Sequence, residues 1–167
     1  MDNLSFQQIL VDGLLLCAVM GGVIITSLYI NVRVWIQDFP KAVQAAIPPL
    51  TDNEKRQRFF FAGLLLIGLF VVLTFLAVRL RASYGDSLTF GTALLHLYLV
   101  FQMFNLFDAV IIDIVLIVLI RPKWVVLPGI ENVAHPYGDF NFQVINYFKG
   151  LIIGFVLSAP FALLATL

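Results

Sequence analysis

Four long apolar stretches dominate the chain, and shorter polar segments separate them. The stretches run over residues 9–36, 59–80, 90–120 and 144–167. About 20 mainly apolar residues in a helix cross a hydrocarbon core about 30 Å thick, so each stretch is long enough to span a bilayer. Within lipid a helix satisfies its own backbone hydrogen bonds, and the sequence lacks the alternation of barrel strands. The sequence therefore predicts an all-α integral membrane protein, folded as a four-transmembrane-helix bundle.

The composition agrees with a lipid environment. Of the 167 residues, 61% are hydrophobic and only 12% are charged, whereas soluble domains average about 25% charged residues. A soluble fold of this length could not bury so much apolar surface in one core. The formal net charge is zero, so we expect the lipid bilayer, and no nucleic acid, as a partner. No repeat or linker divides the sequence, which predicts a single transmembrane domain over residues 1–167.

Basic residues are distributed unequally between the connections. The first and third connections and the adjoining span ends hold Arg33, Lys41, Lys55, Arg56, Arg58, Arg121, Lys123 and Lys149. The second connection holds only Arg79 and Arg81. Because cytoplasmic loops carry an excess of Lys and Arg, this distribution predicts that both chain ends face away from the cytoplasm (N-out, C-out). We expect a multi-pass protein of the inner or plasma membrane.

The connections contain local signals for helix boundaries. Thr51 and Glu54 have the spacing of a capping box, which predicts that the second long helix begins at Asp52. Asp86 or Ser87 is expected to cap the third span. Between spans one and two, apolar residues recur at helical spacing, namely Phe39, Val43 and Ile47. This spacing predicts a short amphipathic helix on the cytoplasmic surface of the membrane.

Several of these segments resemble a known family. The runs over residues 38–44 and 48–56 (DFPKAVQ and PPLTDNEKR), with residues 105–113 and Pro128–Gly129, resemble small four-helix integral membrane proteins of bacteria that have no assigned activity. The resemblance covers roughly half of the chain. It implies the same four-helix fold and a prokaryotic origin, and it implies no chemistry.

The third span is unusually long and unusually polar. Its 31 residues would extend about 46 Å as an α-helix, so it must tilt, project from the membrane or break. A carboxylate at mid-membrane costs roughly 2.5–3.5 kcal/mol. At about 100° per residue, the polar side chains of this span fall within an arc of about 140°, with His96 roughly opposite. These side chains are Gln102, Asn105, Asp108 and Asp113. We expect this polar stripe to face other helices or water.

The two carboxylates of the stripe allow two interpretations. A carboxylate in a low dielectric can bind and release a proton near neutral pH, which would make Asp108 and Asp113 a proton or cation site. Alternatively, Arg33 and Lys149 lie at a depth similar to that of Asp113 and form an ion-pair cluster with it. We prefer the ion pair for Asp113. For Asp108, which has no evident partner of opposite charge, both interpretations stay open.

Metal and catalytic chemistry have little support in the sequence. His96 is a weak candidate for a metal or haem ligand, because a lone histidine near the end of a span is more often hydrogen-bonded. Acidic and histidine side chains recur every four residues in the third connection, at Glu131, His135 and Asp139. Pro136 and Gly138 disfavour a helix there, so we interpret Glu131, His135 and Asp139 as parts of a solvated loop. No catalytic motif is present, so we expect no metal and no cofactor, and an enzyme that acts on lipid or quinone ranks third among the possible functions.

Two spans carry small residues at every fourth position, which lets helix backbones approach closely. In span four these are Gly150, Gly154, Ser158, Ala162 and Thr166, and in span one they are Gly13, Cys17 and Gly21. Such faces pack either within the bundle or against another subunit. Two functions stay open. The preferred one is a non-enzymatic subunit or self-associating component, in a homo-oligomer or a larger membrane complex. The alternative is a small proton- or cation-coupled transporter or channel that uses the third-span carboxylates.

Overall fold

Helices make up nearly all of the structure, a computed structural model that describes residues 5–127, 130 and 140–167. They are α1 (Phe6–Asn31), a 3₁₀ segment (Val32–Asp38), α2 (Lys41–Ala46), α3 (Asp52–Tyr84), a 3₁₀ turn (Gly85–Ser87), α4 (Phe90–Phe107), a π-helical segment (Asp108–Ile120) and α5 (Phe140–Thr166). No strand occurs in the described ranges. Four helical stretches are long and apolar enough to cross a membrane, namely Phe6–Asp38, Asp52–Ser87, Phe90–Ile120 and Phe142–Thr166. The predicted all-α architecture with four helices of spanning length is confirmed.

The four long helices pack in a ring in the order α1, α3, α5, α4, with the most extensive contact between α4 and α5. α1 and α4 run in one direction, and α3 and α5 run in the other. The start of α1 therefore meets the end of α3, where the Ser5 amide donates to the Tyr84 hydroxyl at 3.4 Å. We call this end of the bundle the terminal end. The opposite end, which holds the 3₁₀ segment, α2 and the π-helical segment, is the cavity end.

The apolar residues before α3 pack differently from the prediction. Phe39, Val43 and Ile47 are 4%, 1% and 8% exposed, respectively. They belong to a hydrophobic cluster at the cavity end that includes Ile112 and Ile117. The interpretation of α2 as a helix lying on the membrane surface is therefore wrong about its apolar side, which faces the protein itself.

The capping predictions can be compared with the structure at two helix starts. The Thr51 hydroxyl accepts from the Glu54 amide, and the Glu54 carboxylate accepts from the Thr51 amide at 2.8 Å, so the predicted capping box is confirmed. The prediction for the third span is wrong, because Thr89 caps α4. Ser87 instead donates to a backbone carbonyl, and Asp86 is used in an ion pair with Arg81.

The third span changes its helical geometry at Asp108. It is an α-helix up to Phe107 and a π-helix from Asp108 to Ile120, in which each N–H bonds to the C=O five residues earlier. Eight of its 13 residues are Val or Ile, whose branched side chains weaken the preference for an α-helix. Arg121, with a left-handed φ of 46°, ends the segment just before Pro122. The span is thus broken in geometry while it stays continuous as a helix.

Candidate functional site

A cavity of about 390 Å³ lies at the cavity end of the bundle. Its walls come from α1, the 3₁₀ segment, α3, the π-helical segment and α5. The polar residues that line it are Asp38, Asp108, Asp113, Gln143, Asn146 and Lys149. Side chains such as Leu28 and Ile153 make the remaining wall apolar. The structure thus brings Asp108, Asp113 and Lys149 of the predicted site together, and it adds Asp38.

The π-helical geometry places both third-span carboxylates on the cavity. In an α-helix, residues five positions apart lie about 140° apart around the axis. In a π-helix the hydrogen bonds join residues five apart, so such residues lie near each other on one side. Asp108 and Asp113 are five apart and both line the cavity, and Ile112 and Ile117 repeat the same relation. The predicted arc assumed α-helical geometry, and it was wrong beyond residue 108.

A network of hydrogen bonds holds Asp38 in place at the end of its 3₁₀ segment. The Asn31 side chain caps this segment by accepting from the Arg33 amide at 3.1 Å. The Gln44 side chain donates to the carbonyls of Gln37 and Phe39, at 3.0 and 2.7 Å. These bonds fix the backbone on both sides of Asp38, so its carboxylate is positioned by the fold and not by a flexible loop.

Arg33 has a different partner from the predicted one. Its Nε lies 2.6 Å from Glu54 Oε1, and both side chains are largely buried. Its Nη2 donates to the Pro48 carbonyl at 3.1 Å. Arg33 therefore ties the 3₁₀ segment to the start of α3, and the predicted pairing of Arg33 with Asp113 is wrong. The capping box explains this, because it holds the Glu54 carboxylate beside the end of α1.

Negative charge predominates around the cavity. Among the described residues, neither Asp108 nor Asp113 has a lysine or arginine within ion-pair distance. Lys149 is exposed, and among the described residues its Nζ makes one long bond of 3.4 Å, to Asn146. The predicted pairing of Lys149 with Asp113 is therefore also absent, although both residues line one cavity. Arg58 is close enough to Asp38 to offset part of its charge.

Two further side chains complete the chemistry of the cavity. Gln143 is 8% exposed, and its buried Oε1 has no hydrogen-bond partner among the described residues. The Trp35 indole donates to the Ser27 hydroxyl at 2.7 Å, and Ser27 in turn donates to the Ile24 carbonyl at 2.7 Å. The only polar atom of Trp35 is thereby used within the protein, and its ring remains as an aromatic wall. Sequence reasoning missed both residues, since neither belongs to a motif.

The other half of the predicted polar stripe faces α5. Asn105 donates to the Tyr147 carbonyl and to Gln102 Oε1, both at 3.1 Å. A Cβ atom at Gly150 would lie 2.0 Å from Asn105 Oδ1, and one at Gly154 would lie 2.5 Å from Gln102 Nε2. These glycines thus make room for the two amides. Gln102 and Asn105 join α4 to α5, and they do not line the cavity.

The small residues of both spans are turned into the bundle. A Cβ atom at Gly13 would collide with Met103, and one at Gly21 would collide with Phe107. Ser158 is fully buried, and Cys17 is buried as a free thiol. These faces are therefore covered by the chain's own helices.

A second group of ionisable residues lies at the terminal end. Asp12 is fully buried in α1, and Arg79 Nη1 of α3 donates to its Oδ1. His96 Nε2 of α4 lies 2.9 Å from Asp12 Oδ2, so His96 is hydrogen-bonded to a carboxylate. Within the part of the chain that the structure describes, no three His, Cys, Asp or Glu side chains are close enough to hold a metal ion. Glu131, His135, Asp139 and Pro128–Gly129 lie outside the described residues.

Sequence reasoning missed Asp12, although a signal for it exists. Asp12 and Arg79 have opposite charges and, in the predicted topology, lie at a similar depth near the same ends of spans one and two.

Comparisons with models of protein families, with curated proteins and with solved structures found no match. The chemistry of the site therefore has to be inferred from its own residues.

Proposed function

We propose that this chain is a small proton- or cation-coupled transporter or channel that works through the carboxylates of the cavity. The observation that carries the proposal is the surplus of acidic side chains at one cavity. Asp38, Asp108 and Asp113 line it, and among the described residues the only basic side chain on its wall is that of the exposed Lys149. A carboxylate away from bulk water is stabilised by a proton, a cation or a paired base. Among the described residues no base pairs with Asp108 or Asp113, so a mobile positive charge is a suitable partner for these two carboxylates.

The second ionisable group supports the same function. Asp12 and His96 lie at the terminal end, in the half of the bundle opposite to the cavity. Intramembrane aspartate and histidine residues commonly mark proton or ion pathways. A path that crosses the bundle needs titratable groups at both depths, and these two groups provide them. Gln102 and Asn105 lie on α4 between the two depths.

We further propose that the four helices cross the cell membrane with both chain ends outside, so that the cavity lies on the cytoplasmic side. The support is the excess of basic residues in the first and third connections. In this orientation Lys41, Lys55, Arg58 and Lys123 surround the cavity end. A basic rim at the cytoplasmic end would also contact anionic lipid headgroups.

The function of a non-enzymatic subunit or self-associating component has less support from the structure than from the sequence. That interpretation was motivated by the small-residue faces of spans one and four. Gly13, Gly21, Gly150 and Gly154 all face side chains of α4. Since they are occupied within one chain, they do not call for a second subunit.

The transport proposal is tested with purified protein in liposomes that contain a pH-sensitive or a sodium-sensitive dye. A potassium diffusion potential, negative inside, supplies the driving force. We expect influx of protons or Na⁺ above that of empty liposomes, and we expect the Asp108→Asn/Asp113→Asn double variant to abolish it. Asp86→Asn is the control, because this aspartate is exposed at the opposite end. Equal influx in the double variant and the control would contradict the proposal.

A further inference from the structure

We propose that the cavity binds a small organic cation, a protonated amine attached to an apolar body. This inference rests on the proposed function, because it names the chemical class of what the cavity takes up. It is carried by three features of the wall: the polar groups that are available to a ligand, the spacing of the carboxylates, and the aromatic side chains beside them.

Acceptor oxygens make up most of the polar part of the wall, which Asn146 and Lys149 complete. Asp38, Asp108 and Asp113 are carboxylates, and Gln143 presents an Oε1 that is buried and unpartnered within the described residues. An unpaired buried oxygen in a native structure indicates a missing partner such as water, an ion or a ligand. A ligand that complements this wall brings N–H donors and a positive charge. An ammonium group has both properties.

The spacing of the carboxylates favours an organic cation over a bare metal ion. Metal ions hold their oxygen ligands at about 2.0–2.6 Å, which requires the ligands to converge on one point. No group of three His, Cys, Asp or Glu residues converges in this way in the described part of the chain. The carboxylates instead surround a volume of about 390 Å³, which falls in the range of about 300–1,000 Å³ for small-molecule sites.

The aromatic and aliphatic wall accounts for the apolar body of the ligand. Trp35, Phe39, Ile112 and Ile117 line the same cavity and belong to one hydrophobic cluster. The bond from the Trp35 indole to Ser27 fixes the ring before any ligand arrives. A cation is attracted to the face of an aromatic ring by the ring's quadrupole. The wall is therefore suited to an arylalkyl or alkyl ammonium ion.

Lys149 provides a second test, in which the substitution should change the binding affinity in the opposite direction. It lies on the cavity wall, is exposed and is held only by its long bond to Asn146. If the ligand is a cation, the ammonium group of Lys149 repels it. Removing this charge should then tighten binding, whereas removing a charge from Asp113 should weaken it. A merely structural effect of substitution would weaken binding in both variants.

Calorimetric titration of the purified full chain in detergent tests the proposal with three matched probes. These are benzylammonium, the neutral benzyl alcohol and the anionic benzoate, which share one ring and differ in charge. We expect benzylammonium to bind at least about tenfold more tightly than the other two. Asp113→Asn should weaken its binding by about tenfold, Lys149→Gln should tighten it, and Asp86→Asn should leave it unchanged. Binding that is equal for the three probes, or absent at millimolar concentration, would overturn the proposal.

The liposome assay separates this inference from the transport proposal when it is repeated with benzylammonium outside. Selective binding without influx in either condition would leave the cation site standing and refute transport. Influx that depends on Asp108 and Asp113, without binding of benzylammonium, would support transport and refute the organic-cation site. A Lys149→Gln variant that binds more weakly than the wild type would count against a cationic ligand even if Asp113→Asn failed to fold.

Discussion

Asp12 is held inside the bundle by side chains from two other helices. Its Oδ1 accepts from Arg79, and its Oδ2 is hydrogen-bonded to His96. The carboxylate is fully buried, whereas the Arg79 side chain is 39% exposed. The pair is thus asymmetric, because water can solvate the guanidinium but cannot reach the carboxylate. Losing the arginine should therefore be more harmful than losing the aspartate.

At the scale of this residue we expect Arg79→Ala to lower the free energy of unfolding by about 3 kcal/mol. Removing one partner of a buried pair leaves an uncompensated charge, which costs about 3–5 kcal/mol. Partial exposure of Arg79 puts the expected value at the low end. Asp12→Asn in the same background should restore part of the loss, since it removes the stranded charge. Unfolding in detergent with increasing denaturant measures the wild type and both variants. A double variant as unstable as Arg79→Ala would show that the charge is not the cause.

Some residues could be placed from the sequence and others could not, for a physical reason. Thr51 and Glu54 were assigned correctly, because a capping box depends on neighbours only three residues apart. Arg33 was assigned the wrong partner, because its choice between Glu54 and Asp113 depends on how chain segments far apart in sequence meet. A similar depth in the membrane limits which charged residues can pair. It does not determine how each helix is rotated about its axis, and this rotation decides which side chains meet.

At the scale of single helices, the glycines of α5 provide a matched experiment. Gly154 faces Phe101 and Gln102, where an added Cβ would lie 2.5 Å from a ring carbon. Gly63 of α3 has nothing within 4 Å of the same added atom. Both are glycines inside long helices, and alanine has the higher helix propensity, by about 1 kcal/mol.

We therefore expect Gly154→Ala to lower the melting temperature in detergent and Gly63→Ala to leave it unchanged or raise it. The first substitution forces α4 and α5 apart, whereas the second changes only local helix propensity. A shift of 1 kcal/mol corresponds to roughly 2–4 °C in a protein of this size. If both variants melt like the wild type, the contact between α4 and α5 is looser than the structure shows.

The π-helical segment marks the limit of prediction at this scale. The apolar run predicted a continuous helix over residues 90–120, and the structure has one. The Val and Ile residues after Asp108 weaken the preference for an α-helix, but they do not specify hydrogen bonds between residues five apart. It nevertheless decides whether Asp108 and Asp113 share a face. The site therefore depended on a feature that hydrophobic periodicity does not encode.

At the scale of the whole molecule, the orientation in the membrane is open to a direct test. We expect a cysteine at Lys41 to be shielded from an impermeant thiol reagent in intact cells, and a cysteine at Asp86 to react. Both positions are exposed in the structure. Cys17→Ser provides a background without other cysteines. After the membrane is permeabilised, both cysteines should react.

Reaction of the Lys41→Cys variant in intact cells, with the Asp86→Cys variant protected, would invert the proposed orientation. The cavity would then open away from the cytoplasm. The bundle and the chemistry of the cavity would stay the same, because neither depends on the side of the membrane.

The ring order of the helices also has a consequence for how the chain is made. α1 and α3 form one antiparallel hairpin, and α4 and α5 form the other, so each half contacts itself before it meets the second. Asp12 and Arg79 both belong to the first hairpin. The ribosome therefore delivers the arginine that neutralises Asp12 before any part of α4 is synthesised. A nascent chain can leave the insertion machinery with that charge already paired, and His96 joins an existing contact.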